Sequence, residues 1–257
     1  MKQGDYKKQK HILIIQFRTD ASYLHERMCL YKSLLSDVVR LTMVSALDND
    51  IDWKHPVKLL RGVDGVVLGG SGEFHFPGHT DGERQKFHDC AVANTKMLVQ
   101  YLIDYDIPTI GICFGHQMLG YVLETQTIRD PHQAKKAGSY QIRLTEEGKQ
   151  DRLFSGLPET FMVQYAHQDS LEGLPKGCVL LAHNGNRCRT SAFRHGKNVY
   201  GFQFHPEFVD EKDFFFRLKI SDAEYSGNTT QVCATREATT LLKRFVRDIS
   251  HSYKKEF

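Results

Sequence analysis

Cys113 constrains this chain more than any other residue, because of where it stands. It follows the apolar run Thr109-Ile110-Gly111-Ile112, directly precedes the helix-like stretch Phe114–Glu124, and has Gly111 and Gly115 two residues to either side. A strand that becomes a helix within one residue forces that residue into strained backbone geometry, and flanking glycines remove the side chains that would collide. The helix N-terminus beside the thiol favours a thiolate and aims the Phe114 N–H at any oxyanion forming on a substrate. Such turns belong to parallel α/β sheets, whose functional groups gather at strand C-termini.

A second apolar run, Val199–Phe204, leads into His205-Pro206-Glu207. In extended backbone His205 and Glu207 project to one side, and Pro206, which cannot donate to a ladder, is expected to end the strand. Thiol, imidazole and carboxylate are the three groups needed for cysteine-based acyl transfer. Cys113 would be the nucleophile. His205 would take its proton, or hold the thiolate as an ion pair, and later protonate the leaving amine; Glu207 would fix the imidazole tautomer. Two blander readings compete. A cysteine in a strand is often merely a buried small residue, and Cys113 with His116 has a C-x-x-H spacing. No second pair completes a tetrahedral metal site, so no metal is expected.

The pattern along the chain predicts strands at Ile12–Phe17, Val38–Val44, Gly65–Leu68 and Thr109–Ile112, separated by helices over Ala21–Leu35, Val57–Leu60 and Glu83–Tyr105. The first of these helices takes its apolar spacing from Leu24, Met28, Tyr31, Leu34 and Leu35. Strand-like runs then follow one another at Tyr140–Leu144, Thr160–Tyr165, Val179–His183, Thr190–Arg194 and Val199–Phe204, with hairpin loops at Gly185 and Gly196. A helix over Arg236–Ser252 closes the pattern. The expected fold class is α/β: an open, mostly parallel, flavodoxin-like sheet with helices on both faces and added antiparallel strands. No linker divides the chain, so one domain over 1–257 is expected, with 208–234 as an insertion before the C-terminal helix.

At 257 residues, 40% hydrophobic and 25% charged, the composition is that of an ordinary globular chain, and a formal net charge of +3 gives no reason to expect nucleic acid. No run approaches the roughly 18 apolar residues of a membrane span, so no membrane partner is expected. Lys7, Lys8 and Lys10 precede only a short apolar stretch, which reads as a first strand and not a secretion signal; the cytoplasm is the expected location. The six cysteines (Cys29, Cys90, Cys113, Cys178, Cys188, Cys233) show no paired spacing, and the five other than Cys113 read as buried small hydrophobes. His75, His79, His88 and His132 are scattered without ligand spacing and read as loop or surface residues.

These motifs closely resemble the class I, triad-type glutamine amidotransferases, which carry G-x-C-x-G-H-Q at the nucleophile and H-P-E after a late strand; both stand intact here. Val66-Val67-Leu68-Gly69-Gly70-Ser71 is similar to the family's glycine loop, which implies the Gly70 N–H as a second oxyanion donor beside Phe114. Val163-Gln164-Tyr165-Ala166-His167-Gln168-Asp169 is similar to the segment that grips the substrate's amino-acid end, implying substrate contacts at Ala166 and His167; the family usually has serine where Ala166 stands. Gln117, by the same resemblance, helps hold glutamine. Overall the chain is most similar to stand-alone, guanylate-synthetase-like amidotransferase domains.

The resemblance implies hydrolysis of the glutamine side-chain amide through a γ-glutamyl thioester, with no metal or organic cofactor, and ammonia passed to a separate synthase subunit. The sequence contains no P-loop and no Ser-Gly-Gly-x-Asp-Ser stretch of the ATP-pyrophosphatase kind. A free-standing γ-glutamyl hydrolase or peptidase would use the same triad on a larger γ-glutamyl compound; Gln117 favours glutamine. A binding or regulatory protein would have no chemical need for all three groups. Glu73 to Gly82 and Asp210 to Cys233 read as additions, either surface elaboration or a lid or docking surface.

Overall fold

The first strand already shows how the layers are built. In the computed structural model, which describes residues 9–19, 22–34, 39–72, 82–129, 136–185, 188–214, 216 and 232–249, β1 (Lys10–Gln16) sends Ile12 and Ile14 into one core and Leu13 and Ile15 into another. This is the period-two alternation of a strand covered on both faces. β3 (Gly65–Leu68), β4 (Thr109–Ile112) and β11 (Val199–Phe202) are buried along their whole length, as parallel strands between two helical layers must be.

One core is closed by Leu30 of α1 (Ser22–Ser33) and by Ala238, Leu241, Leu242 and Phe245 of α6 (Arg236–Asp248). The other is closed by Leu98, Val99 and Leu102 of α3 (Gly82–Asp104) and by Met118 and Leu119 of α4 (Phe114–Val122). The helices α2 (Pro56–Leu59) and α5 (Glu146–Gln150) are short, and residues 211–214 and 216 are also helical.

The large sheet has the order β2-β1-β3-β4-β11-β10-β9-β6-β7, where β2 is Val39–Ser45, β6 Lys136–Leu144, β7 Thr160–His167, β9 Cys178–Asn184 and β10 Cys188–His195. Pairings from β2 to β11 are parallel; those from β11 to β7 are antiparallel. The β9–β10 and β10–β11 hairpins turn at Gly185 and Gly196, both at positive φ, where only glycine is unstrained. The predicted α/β class, with helices on both faces and antiparallel strands added at one side, is the observed one. A separate ribbon of β5 (Thr127–Arg129) and β8 (Asp169–Leu171) is too short to announce itself in the sequence.

β1 is followed by β2 on one side and has β3 on the other, so the chain order switches direction between β1 and β3. The crevice at the C-terminal ends of such strands is where α/β sheets bind ligands. Residues 17–19, 69–72, 113 and 203–207 all follow strands at this end.

Four sequence expectations need correction, the first being His88, which is buried within α3 and is not a loop or surface residue. Leu24 and Met28 of α1 are 52% and 53% exposed, while Ser22, His25, Glu26, Cys29, Leu30 and Ser33 are buried. The inward face of this helix is polar because it looks onto the strand ends as well as the core. β11 stops at Phe202, before Pro206, because its neighbour β4 itself ends at Ile112; the His205 N–H donates instead to the Gln164 carbonyl on β7 (2.9 Å). Of the cysteines, Cys29 and Cys188 are buried with Cys113, but Cys90, Cys178 and Cys233 are only half-buried. His75, His79, His132 and most of the additions proposed at 73–82 and 210–233 lie outside the described residues. Among the described residues, no helix is long and apolar enough to cross a membrane.

Candidate active site

Cys113 sits at φ +50° and ψ −100°, a conformation that costs a non-glycine residue on the order of 1–3 kcal/mol. The turn is held from both sides: its N–H donates to the Phe202 carbonyl (2.8 Å) and its carbonyl accepts from the Gln117 N–H (3.0 Å). The glycine frame has a specific cause. A Cβ on Gly115 would lie 2.2 Å from the Leu68 carbonyl oxygen, and one on Gly111 would lie 2.5 Å from the Gly115 carbonyl oxygen. The first turn of α4 thus starts directly against β3, where the Gly115 N–H donates to the Gly69 carbonyl (3.0 Å). That bond ties the Cys113 turn to the glycine loop.

His205 and Glu207 are both buried, and the His205 Nδ1 lies 2.7 Å from Glu207 Oε1. The imidazole stacks on the Phe208 ring, centroids 4.9 Å apart, which fixes its plane. Burial disfavours a charged ring, but the Glu207 carboxylate and then the Cys113 sulfur favour it more. The balance raises His205 from 6.5 to about 9. With Nδ1 facing Glu207, Nε2 is the nitrogen turned to the thiol. It makes no hydrogen bond of normal length, yet Cys113 lies close enough to raise its proton affinity.

His116 of the Gly-His-Gln sequence plays a different part. It is fully buried against Phe193 (5.0 Å), and burial pushes it down to about 3, so it stays neutral. Gln117 is also buried. Its Nε2 donates to the Asp169 carbonyl (2.8 Å) and to Gln203 Oε1 (3.2 Å), bracing α4 against the start of β8. Ala166 and His167 end β7; the His167 Nδ1 faces the Asp169 carbonyl (3.0 Å) and its ring meets Tyr165 edge-on. The segment 164–169 is therefore joined to the site twice, by Gln164 to His205 and by Asp169 to Gln117.

Gly70 lies beside the dyad: a Cβ placed on it would stand 3.2 Å from His205 Cε1 and 3.6 Å from Cys113 Cβ. Its N–H, however, donates to Glu26 Oε1 at 3.0 Å. Glu26 reaches in from α1, is 1% exposed, and faces Arg18 Nε at 3.3 Å; Arg18 in turn donates to Ser22 Oγ (3.0 Å). Sequence reasoning missed Arg18, Glu26 and Gln203. The signal for the first two was a charged residue straight after a buried strand and a helix that had to bury a polar face.

Among the described residues one group could hold a metal: His25, Cys29 and Asp213, whose ligand atoms lie within 4.8 Å of one another. The Lys32 ammonium stands 2.8 Å from Asp213 Oδ1 and balances that carboxylate, while Cys29 Sγ lies 3.5 Å from His25 Nε2.

Residues 30–216 match the family described as Glutamine amidotransferase class-I. The chain is 32% identical over 156 residues to one subunit of a glutamine-hydrolyzing GMP synthase from Archaeoglobus fulgidus, covering 59% of this chain and 70% of that one. It is 27% identical over 197 residues to the protein of the same name from Methanobrevibacter smithii, covering 76% and 86%. A crystal structure of a glutamine amidotransferase from Thermotoga maritima superposes with a TM-score of 0.64 at 17% identity, over 93% of this chain and 97% of that one, and shares its fold.

Proposed function

The chain belongs to the class I glutamine amidotransferases, and from that premise we propose that Cys113, His205 and Glu207 hydrolyse the side-chain amide of L-glutamine. The observation that carries this reading is the buried His205–Glu207 pair beside a strained Cys113. Cys113 Sγ attacks the amide carbon while His205 carries the thiol proton on Nε2. The oxyanion is met by the N–H groups of Phe114 and Gly70. The imidazolium then protonates the leaving nitrogen, ammonia departs, and a γ-glutamyl thioester remains. Water attacks that thioester, giving its proton to His205, and glutamate and free thiol are restored. Gln117, Ala166 and His167 border the substrate's amino-acid end. The chain acts as one amidotransferase domain, with 208–234 inserted before α6.

The relatives' name supports a further step, delivery of the ammonia to a separate synthase subunit. One observation favours a second substrate class. Both donors of the Gln117 amide are committed to Asp169 and Gln203, which weakens its selection of glutamine over larger γ-glutamyl amides.

The test is release of ammonia and glutamate by the purified chain, offered L-glutamine beside γ-glutamyl peptides and amines, with Cys113→Ala as the blank. Turnover of glutamine by the wild type alone supports the reading. Turnover confined to the larger compounds moves the protein to the peptidase class. Labelling of Cys113→Ala by a glutamine-analogue electrophile as fast as wild type would refute the nucleophile assignment.

A further inference from the structure

We infer that Glu26 is a positioning residue that controls the oxyanion donor: its carboxylate holds the Gly70 N–H and must release it before glutamine is cleaved. This rests on the reading of Cys113 and Gly70 above and deepens it.

An amide N–H has one proton to donate. In this structure the Gly70 proton goes to Glu26 Oε1 at 3.0 Å, a charge-assisted bond to a fully buried carboxylate. The fit around it is tight. A Cβ on Gly69 would lie 3.0–3.2 Å from the carboxylate, so the glycine there is what lets Glu26 reach the loop. Arg18 Nε faces the same oxygen at 3.3 Å, and Arg18 Nη2 lies 3.1 Å from a Cβ placed on Gly70. Carboxylate, guanidinium, glycine loop and dyad form one contiguous unit at the switch between β1 and β3. The second oxygen, Glu26 Oε2, is buried with no hydrogen-bond partner. A buried carboxylate half-satisfied in this way is not held as firmly as one that is fully paired.

Two consequences follow from electrostatics alone. The tetrahedral oxyanion and the Glu26 carboxylate compete for the same proton donor. A fixed negative charge beside the glycine loop also opposes the negative charge that develops on the substrate. Glutamine cleavage therefore requires the Gly70–Glu26 bond to open, through rotation of the glycine loop or withdrawal of α1. Arg18 is the cation placed to hold Glu26 in either state. Both residues precede the first residue that matches the family, so this control is built on the part of the chain the family match does not cover.

The experiment compares the wild type with Glu26→Gln and with the double variant Arg18→Met/Glu26→Leu, which replaces the buried ion pair by apolar side chains and so avoids an unpaired charge. Three quantities are read: kcat and KM for L-glutamine, the rate of Cys113 alkylation by iodoacetamide, and the thermal unfolding midpoint. Alkylation needs no oxyanion hole, whereas amide cleavage does. The expected result is a rise in kcat on the order of 10- to 100-fold in the double variant, from loss of a charge-assisted competitor. A smaller rise is expected in Glu26→Gln, whose amide oxygen is a weaker acceptor. KM and alkylation rate should stay near wild type, because the freed donor acts in the transition state only. Folded variants with unchanged or lower kcat, while Cys113 still alkylates, overturn the role of Glu26 and leave the triad reading standing. Release of product from glutamine by Cys113→Ala at the wild-type rate overturns both.

Discussion

Glu207→Gln keeps the shape of the side chain and removes its charge, which makes it the sharpest test of how His205 is tuned. The ring stays charged up to about pH 9 against an ordinary value of 6.5, which corresponds to about 3 kcal/mol in favour of the imidazolium. That balance already includes the penalty of burial, the largest single effect, so removing the carboxylate leaves only the Cys113 sulfur to oppose it. His205 should then titrate near or below its ordinary value. At pH 7.5 the wild-type ring is almost wholly charged, whereas a ring titrating at 6.5 is only about 10% charged. Protonation alone therefore predicts about a tenfold loss in kcat/KM at pH 7.5, with a further loss because the tautomer is no longer set. The assay is kcat/KM for the preferred substrate from pH 5.5 to 10. The alkaline limb should sit near pH 9 in the wild type and fall by about two pH units or more in Glu207→Gln.

Stability gives a second readout of the same pair. Between about pH 6.5 and 9 the folded state holds a proton on His205 that the unfolded chain has lost, so stability falls as pH rises through that window. The contribution is complete below about 6.5 and gone above about 9. The wild type should thus be stabilised over Glu207→Gln at pH 6 and lose most of that advantage by pH 9.5 in urea titrations. An alkaline limb that does not move in the variant would refute the claim that Glu207 sets the charge on His205.

Gly115→Ala should be strongly disruptive, since the new methyl would sit 2.2 Å from the Leu68 carbonyl oxygen. About 2–4 kcal/mol of stability should be lost from overpacking and from the broken Gly115–Gly69 bond, with kcat falling further than stability explains; a wild-type midpoint in thermal unfolding would contradict the close approach of α4 and β3. Gln117→Leu removes two buried donors from Asp169 and Gln203. It should raise KM for glutamine several-fold while iodoacetamide still alkylates Cys113 at the wild-type rate, and an unchanged KM would show that the brace does not support the substrate site.

The predicted strands match the observed ones to within a few residues where the apolar run is continuous and both faces are buried, as at Gly65–Leu68 and Thr109–Ile112. Continuous burial leaves a composition signal that does not depend on context. The first helix is the instructive exception. Its extent is close to the expected one, but its buried face is not, because Leu24 and Met28 suggested an apolar stripe while His25 and Glu26 are what turn inward. Hydrophobic spacing locates the inward face of a helix that packs only on a core. It fails for a helix that also packs on strand ends, where polar groups are required.

Local pattern by itself determined the turn at Cys113, the nearness of His205 to Glu207, and β1 as a strand. Each lies within a short stretch of chain, though His205 and Glu207 meet beyond the end of β11, so their pairing comes from closeness in sequence and not from strand alternation. Only the tertiary structure decided that β11 lies beside β4, bringing Cys113 to a histidine far along the chain, and that Gly115 must be glycine because Leu68 stands against it. It also decided that the Gly70 N–H meets a carboxylate from α1. Such contacts depend on strand order and on how closely two backbones approach, and neither leaves a periodic trace in the residues that make them.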